Sequence, residues 1–200
     1  VIDFIPVKTE WVVLTGPPSS GKTTVLEELK RLGYLTSPDV SREVIKNHIT
    51  KGGDAVSARK DQFKLQVEIL DKMLKVESSL DAGQRVFLDY AIPDNIAYCE
   101  MEDVVIPDLE KSSKKFEYRK VFLFEPLPMV VDDVRIESES YQHEIFKKIL
   151  RSYKKLGYKV RIIKIDSVKN RIKKIILHAD SEGKWLEKAK DKQDIKNGFT

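Results

Sequence analysis

The sequence predicts an α/β domain with a five-stranded, mainly parallel sheet flanked by helices. Three observations carry this prediction. Short apolar runs alternate with longer amphipathic stretches along the chain. The apolar run Trp11 to Thr15 passes directly into the loop GPPSSGKTT at Gly16 to Thr24, and a second run, Val86-Phe87-Leu88, ends on the carboxylate of Asp89. Alternating strands and helices imply parallel strands joined by right-handed crossovers, with ligands bound outside the carboxyl ends of the strands. Two hundred residues, 41% hydrophobic and 34% charged, supply one core of ordinary size. The domain is expected over residues 1–183, with 184–200 a charged tail, helical or disordered.

The first strand ends at the Gly16 loop. Thr23 to Leu32 then reads as a helix, with Val25, Leu26, Leu29 and Leu32 on its apolar face and Gly33 as its C-terminal cap. A short second strand within Gly33 to Ser37 is broken by Pro38, after which Asp39 or Ser41 can cap a helix running through Arg42 to His48. Ser57 to Ala82 carries Phe63, Leu65, Ile69, Leu70, Met73 and Val76 at helical spacing and is expected as one long helix stopped by Gly83. Arg85 to Asp89 is the third strand. Short helices are expected at Asn95 to Met101 and around Ile106-Pro107, and a fourth strand at Tyr118 to Phe124. The polar segment Asp132 to Ser140 has the composition of a mobile stretch. A helix from Tyr141 to Leu156 capped by Gly157, a fifth strand from Val160 to Ile165 and a Ser167-capped helix through Leu177 complete the alternation.

Composition removes several classes of function. No stretch approaches the roughly 18 apolar residues of a membrane span, and the first residues lack a signal-peptide layout, so a cytoplasmic protein with no membrane partner is expected. Cys99 is the only cysteine, which excludes an internal disulfide, and its AYCEM setting suits a core filler. His48, His143 and His178 have no second ligand at zinc-site spacing and read as helix residues. Residues 147–200 hold 17 Lys and Arg against 6 Asp and Glu, whereas residues 1–146 hold 19 against 26. The basic C-terminal third could attract nucleic acid, although spaced lysines on helices more often form a solvated face.

The chemistry gathers at the glycine-rich loop. Gly16-x-x-x-x-Gly21-Lys22-Thr23 matches the phosphate-loop pattern in full, between a strand and a helix as that motif requires. Gly16, Ser19, Ser20, Gly21 and Thr24 let backbone N–H groups converge on phosphate oxygens. Lys22 can bridge the terminal phosphates, and Thr23 can offer its hydroxyl to Mg²⁺. Asp89 is the natural second Mg²⁺ anchor, with a turn-initiating aspartate as the other reading. Asp39 and Arg42 can face the same cleft, where Asp39 accepts a hydroxyl proton; Asp39 as a plain helix cap is equally compatible. Arg135 is placed to reach a transferred phosphoryl group from a lid, or to pair with Asp132, Asp133 or Glu139. Arg119 and Arg171 are secondary candidates, Arg171 for the nucleotide base.

These segments resemble a known family. GPPSSGKTT with LKRLGY, SPDVSREVI, VFLDYAIPDNIAYCEM and the stretch from VFLFEPLPM through DDVR to LGYKVRIIKI are similar to the NadR-type AAA domain, a P-loop group that includes ribosylnicotinamide kinase domains. The resemblance runs from Trp11 to Leu177, and the patterns D-x-x-x-x-D-x-x-A-Y and D-x-V-R before LGY are more specific than the loop itself. It implies a three-layer P-loop NTPase fold, nucleoside- and nucleotide-kinase-like, with a lid, in which the loop strand neighbours the Asp89 strand. It also implies Mg²⁺ with ATP or GTP as donor. Lys22 and Thr23 fall at the phosphate and Mg²⁺ positions, Asp89 at the acidic Mg²⁺ position and Arg135 at the lid arginine. Asp39, Arg42, Tyr90 and Asp94 fall on the acceptor side. Two residues depart from the family pattern: Asp39 replaces a frequent glutamate, and Tyr90 stands where arginine commonly follows the aspartate. Tyr90 can stack on a ring or hydrogen-bond a hydroxyl.

Two functions fit. One is a kinase that moves the γ-phosphoryl group of ATP or GTP to a hydroxyl of a small, nucleoside-like acceptor, a polynucleotide 5′-hydroxyl being the less favoured acceptor. The other is a regulatory module switched by binding or slow hydrolysis of the nucleotide. The sequence contains no guanine-reading motif placed after a strand and leaves the acceptor, the choice of ATP or GTP and the oligomeric state open.

Overall fold

In the computed structural model, residues 5–50, 61–128 and 138–179 are described. In chain order their elements are β1 (Val7–Lys8), β2 (Val12–Thr15), α1 (Lys22–Arg31), β3 (Leu35–Thr36), α2 (Val40–Thr50), α3 (Gln62–Ser79), β4 (Val86–Asp89), α4 (Asp94–Met101), α5 (Leu109–Ser112), β5 (Phe116–Glu117), β6 (Lys120–Phe124), α6 (Glu139–Lys155), β7 (Val160–Ile163) and α7 (Val168–Ala179). The main sheet has the order β3-β4-β2-β6-β7 with every pair parallel, which is the five-stranded parallel sheet the alternation predicts. β2 lies at its centre and pairs with β4 in the register Val12 to Phe87 and Leu14 to Asp89.

The strand sequences explain why both faces of this sheet are covered. Successive side chains point to opposite faces, and in β2 every one is apolar and buried until Thr15. Val13, Leu88, Val121 and Leu123 meet Ile45, Leu65, Ile69, Met73, Ile145 and Ile149 from α2, α3 and α6 on one side. Val12, Leu14, Phe87, Phe122 and Phe124 meet Val25, Leu29, Ile172 and Ile175 from α1 and α7 on the other. Each such side chain taken out of water contributes about 1.5–3 kcal/mol. The arrangement is therefore three-layered, with the carboxyl ends of β2 and β4 opening at one edge.

Several boundaries differ from the periodicity reading, each for a local reason. α3 begins at Gln62 because the Asp61 carboxylate accepts from the Lys64 N–H, and it ends at Ser79, where Leu80 turns extended, before Gly83 is reached. The helix expected around Ile106-Pro107 lies one turn later, at Leu109–Ser112. Tyr118 to Phe124 is not one strand. β6 starts at Lys120, and Phe116–Glu117 pairs separately with Val7–Lys8 in a small parallel sheet that the alternation pattern does not reveal. The Gly33 cap is realised by bonds from the Gly33 N–H to the Lys30 carbonyl and from the Tyr34 N–H to the Leu29 carbonyl. Residues 51–60 and 129–137, which hold the first residues of the expected long helix and most of the Asp132 to Ser140 segment with Arg135, lie outside the described residues, as do 180–200. Among the described residues no helix is long and apolar enough to cross a membrane.

Glu77 is an internal carboxyl on the core face of α3, only 3% exposed. Its oxygens accept from the Ile92 N–H at 3.0 Å and the Tyr118 hydroxyl at 2.7 Å, yet burial outweighs these bonds and pushes its pKa up to about 8. Such a group is protonated in the folded protein and ionised in the unfolded chain between its ordinary value of 4.5 and about 8. Its contribution to stability is complete below the lower value and is lost as pH rises through the upper one. The unfolding free energy from urea titrations is expected to fall between pH 4.5 and about 8 with a slope approaching the one-proton limit of about 1.4 kcal/mol per pH unit. Glu77→Gln, which keeps an acceptor for Ile92 and cannot ionise, should flatten that slope; an unchanged slope would remove Glu77 as its source.

Candidate active site

The loop between β2 and α1 is shaped from both sides. Gly16 has φ 149°, and a Cβ there would stand 2.8 Å from the Phe124 carbonyl oxygen; Gly21 has φ 77°, and a Cβ there would stand 2.8 Å from the Arg171 guanidinium. Neither position takes an L side chain without displacement. Three successive loop carbonyls are held by the protein: Pro18 by the Gln142 amide at 2.7 Å, Ser19 by the Leu127 N–H at 3.2 Å and Ser20 by Arg171 at 3.0 Å. In a trans peptide the following N–H points the opposite way. The N–H groups of Ser19, Ser20 and Gly21 therefore turn away from those partners, into the concave side of the loop at the start of α1, which is an anion cradle.

Lys22 opens α1 and is 5% exposed. Its ammonium donates within the site, to the Gly16 and Pro17 carbonyls at 3.0 and 3.2 Å, the Ser20 hydroxyl at 3.3 Å and the Tyr90 hydroxyl at 2.7 Å. Thr23 is half-buried in the next position, and Thr24 is exposed. Asp89 ends β4 beside Leu14 and is buried, with its N–H donating to the Ser37 hydroxyl at 2.8 Å. β2–β4 pairing thus brings the loop and this carboxylate to the same sheet edge.

A cavity of about 110 Å³ opens beside them. Asp39 and Arg42 from the start of α2, Asp89 and Tyr90 from the end of β4, and Tyr98 from α4 line it, over an apolar floor that includes Ile69 and Met73 of α3. Asp39 is the cap of α2: its Oδ1 accepts from the Arg42 N–H at 2.9 Å and the Ser41 hydroxyl at 3.2 Å. The cap places it on the cavity wall, so the capping and site readings coincide on one residue. Tyr90 has φ 63°, unusual for a bulky side chain, and its N–H donates to the Leu14 carbonyl at 3.1 Å. Burial first, then Tyr98, Asp89 and Asp39, hold its phenol well above the ordinary value, so it faces Lys22 as a neutral hydroxyl.

Asp94 borders the cavity but is used internally. One oxygen accepts from the Thr15 hydroxyl, and the other accepts from the Ala91 N–H at 2.9 Å and the Tyr153 hydroxyl at 2.6 Å. Burial raises its pKa against the pull of those bonds. Asp94 thus ties β2, the turn after β4, and α6 together while lining the cavity on the acceptor side. Arg171 is likewise committed to the loop, packing over Gly21 and holding the Ser20 carbonyl. Arg119 lies away from the site, at the amino end of β6, where it pairs with Glu10 at 2.7 Å. Arg135 lies outside the described residues.

Sequence reading missed Gln66, Asn95, Tyr98 and Tyr141 on the cavity wall and Gln142 behind the loop. One signal was available: Gln66 and Glu77 interrupt the apolar face of α3, and both are buried. Cys99 is buried, with its thiol pushed up to about 11, as suits a core filler. The three histidines sit on helices, as expected, next to Glu68, the Glu139 carbonyl and Arg161 respectively.

Comparison with solved structures finds the same fold in NadR and deoxyadenosine kinase structures. A NadR protein in complex with NR superposes with a TM-score of 0.67 at 17% identity, covering 87% of this chain and 52% of that one. A NadR protein in complex with NAD and AMP-PNP gives 0.66 at 17%, covering 87% and 50%. The chain thus spans about half the length of these NadR chains. Deoxyadenosine kinase from M. mycoides, with products dCMP and dCDP bound, gives 0.60 at 18% and is covered over 98% of its length by 86% of this chain. A search of curated proteins returns no match. The family profile described as an AAA domain matches residues 11–171, from the strand before the loop to the arginine that packs over it. The chain belongs to that family of AAA domains.

Proposed function

We propose that the protein is a kinase that transfers the γ-phosphoryl group of ATP or GTP to a hydroxyl of a small, nucleoside-like acceptor. One observation carries the reading: Tyr90 touches the loop lysine on one side and lines the cavity on the other, so the phosphate cradle and a bounded pocket share a wall. A nucleotide switch needs only the cradle. The cavity is smaller than the roughly 300–1,000 Å³ of pockets that enclose drug-sized ligands, which suits an acceptor that enters with one end and presents a hydroxyl towards the loop. The deoxyadenosine kinase and NadR structures, with nucleotides or NR bound, support the same class.

In this reading the loop N–H groups and Lys22 hold the β- and γ-phosphates of the donor. Asp39 receives the proton of the acceptor hydroxyl as its oxygen bonds to the γ-phosphorus, and the bond to the bridging oxygen breaks to release the nucleoside diphosphate. Arg42 lies on the same wall for the acceptor or the transferred group. Mg²⁺ fits the donor set, since Thr23 and Asp89 offer hard oxygens at one sheet edge and phosphates and water complete such a shell. When bound it would neutralise charge on the phosphates. A polynucleotide acceptor has less support, because Lys148, Lys155 and Lys174 of the basic third pair with Glu144, Glu110 and Asp166. The test is a multiple-turnover assay with γ-labelled ATP and GTP against nucleosides, vitamins and oligonucleotides. Label transfer to a nucleoside-like hydroxyl is expected; hydrolysis alone, with no acceptor labelled, would replace the kinase by the switch.

A further inference from the structure

We propose that Tyr90 is a positioning residue that acts through Lys22: its hydroxyl, on a side chain that also lines the cavity, competes with the donor's phosphates for the lysine ammonium. The proposal rests on the reading of the loop as a nucleotide site and of the cavity as the acceptor site.

An ammonium has three protons. Four oxygens lie within 3.3 Å of Lys22 Nζ, and the Tyr90 hydroxyl, at 2.7 Å, is the nearest of them. The Tyr90 ring adds a second attraction, with Nζ 4.2 Å from its centroid. Phosphate oxygens can gain hydrogen bonds from Lys22 only by taking protons away from these partners. Three of the partners belong to the loop itself and move with it. Tyr90 follows β4, 68 residues away, so it restrains Lys22 from outside the loop.

The backbone makes that restraint directional. Tyr90 follows β4 at φ 63°, held by its N–H bond to the Leu14 carbonyl, and its side chain crosses to the loop from this left-handed position. On the cavity side its ring meets Tyr98 edge-on, with centroids 6.2 Å apart, and the two hydroxyls are 3.5 Å apart. A ring or hydroxyl entering among Tyr98, Asp39 and Arg42 therefore meets the same tyrosine that holds the lysine.

Calorimetric titration of Mg-AMP-PNP and of AMP into the unaltered chain and Tyr90→Phe tests this. Phenylalanine keeps the ring and its contact with Tyr98 and removes only the hydroxyl. Mg-AMP-PNP is expected to bind the variant about three- to tenfold tighter, as loss of one competing bond to a charged group allows. AMP, which has no β- or γ-phosphate for Lys22 to reach, should change by less than about twofold. At Mg-ATP concentrations well below its Kd, acceptor-free hydrolysis should rise by a factor similar to the gain in affinity. Equal or weaker Mg-AMP-PNP binding by the variant would overturn the proposal, and so would an equal gain for AMP, which would mark general loosening of the site. Because nucleotide binding is the readout, failure to find an acceptor would count against the kinase reading and leave the Tyr90 result standing.

Discussion

Lys22→Ala is expected to weaken Mg-nucleotide binding by about 10²-fold or more, the sum of two charge-assisted hydrogen bonds of roughly 1.5–3 kcal/mol each to the terminal phosphates. The ammonium is buried beside the cradle, and alanine leaves the Gly16 and Pro17 carbonyls without the donor they share. Some loosening of the loop is therefore expected, and thermal melting should accompany the titration. A large loss of affinity with a small change in Tm is the result that a phosphate contact requires. Asp89→Asn should lower metal-dependent nucleotide affinity and turnover together, because the amide keeps the shape and loses the charge that Mg²⁺ needs. Affinity retained in full by Lys22→Ala would sink the assignment of the loop as the donor site.

Asp39→Asn is expected to cut phosphoryl transfer by about 10²-fold or more, the scale of a positioned general base, while Mg-nucleotide affinity stays within a few-fold. The structure sharpens this expectation, since the Asp39 Oδ1 already caps α2 through the Arg42 N–H. Asparagine and serine both cap helices about as well as aspartate. Neither Asp39→Asn nor Asp39→Ser should therefore cost measurable stability, and neither should retain transfer. Loss of chemistry at constant Tm and constant nucleotide affinity separates a base from a cap. Transfer restored by serine would show that only the cap matters, and the acceptor hydroxyl would then need another proton acceptor.

The parts of this site that were legible in the sequence are those that depend on neighbours along the chain. The strand before the loop is a run of apolar residues, and the loop needs glycine at two positions of positive φ, so Gly16 to Thr24 announces a phosphate cradle before any fold is known. The caps at Asp39, Ser167 and Gly33 are read in the same way, as side chains or backbone bonds reaching three to five residues. Asp89 at the end of an apolar strand is equally local, and the parallel order of the sheet follows from the alternation of elements.

What the tertiary structure alone decided is which faces meet. Periodicity says that Gln66 and Glu77 interrupt an apolar face of α3, but not that Gln66 borders a cavity while Glu77 is closed in by Tyr118 and the Ile92 N–H. The sequence places Asp94 on the acceptor side, but not the bonds that its oxygens accept from Thr15 and Tyr153, 79 and 59 residues away. Arg171 reaches across 151 residues to a loop carbonyl, which helps to turn the cradle's N–H groups into its concave side. The contact between Tyr90 and Lys22 is of the same kind. It depends on β4 lying next to β2 and on a left-handed backbone at Tyr90, and neither is encoded in the residues adjacent to the two partners. Local sequence determines the conformations a segment can adopt through sterics and short hydrogen bonds. The distant side chains that complete a buried polar group are selected only when strands and helices pack, since only then does desolvation make each unpaired partner costly.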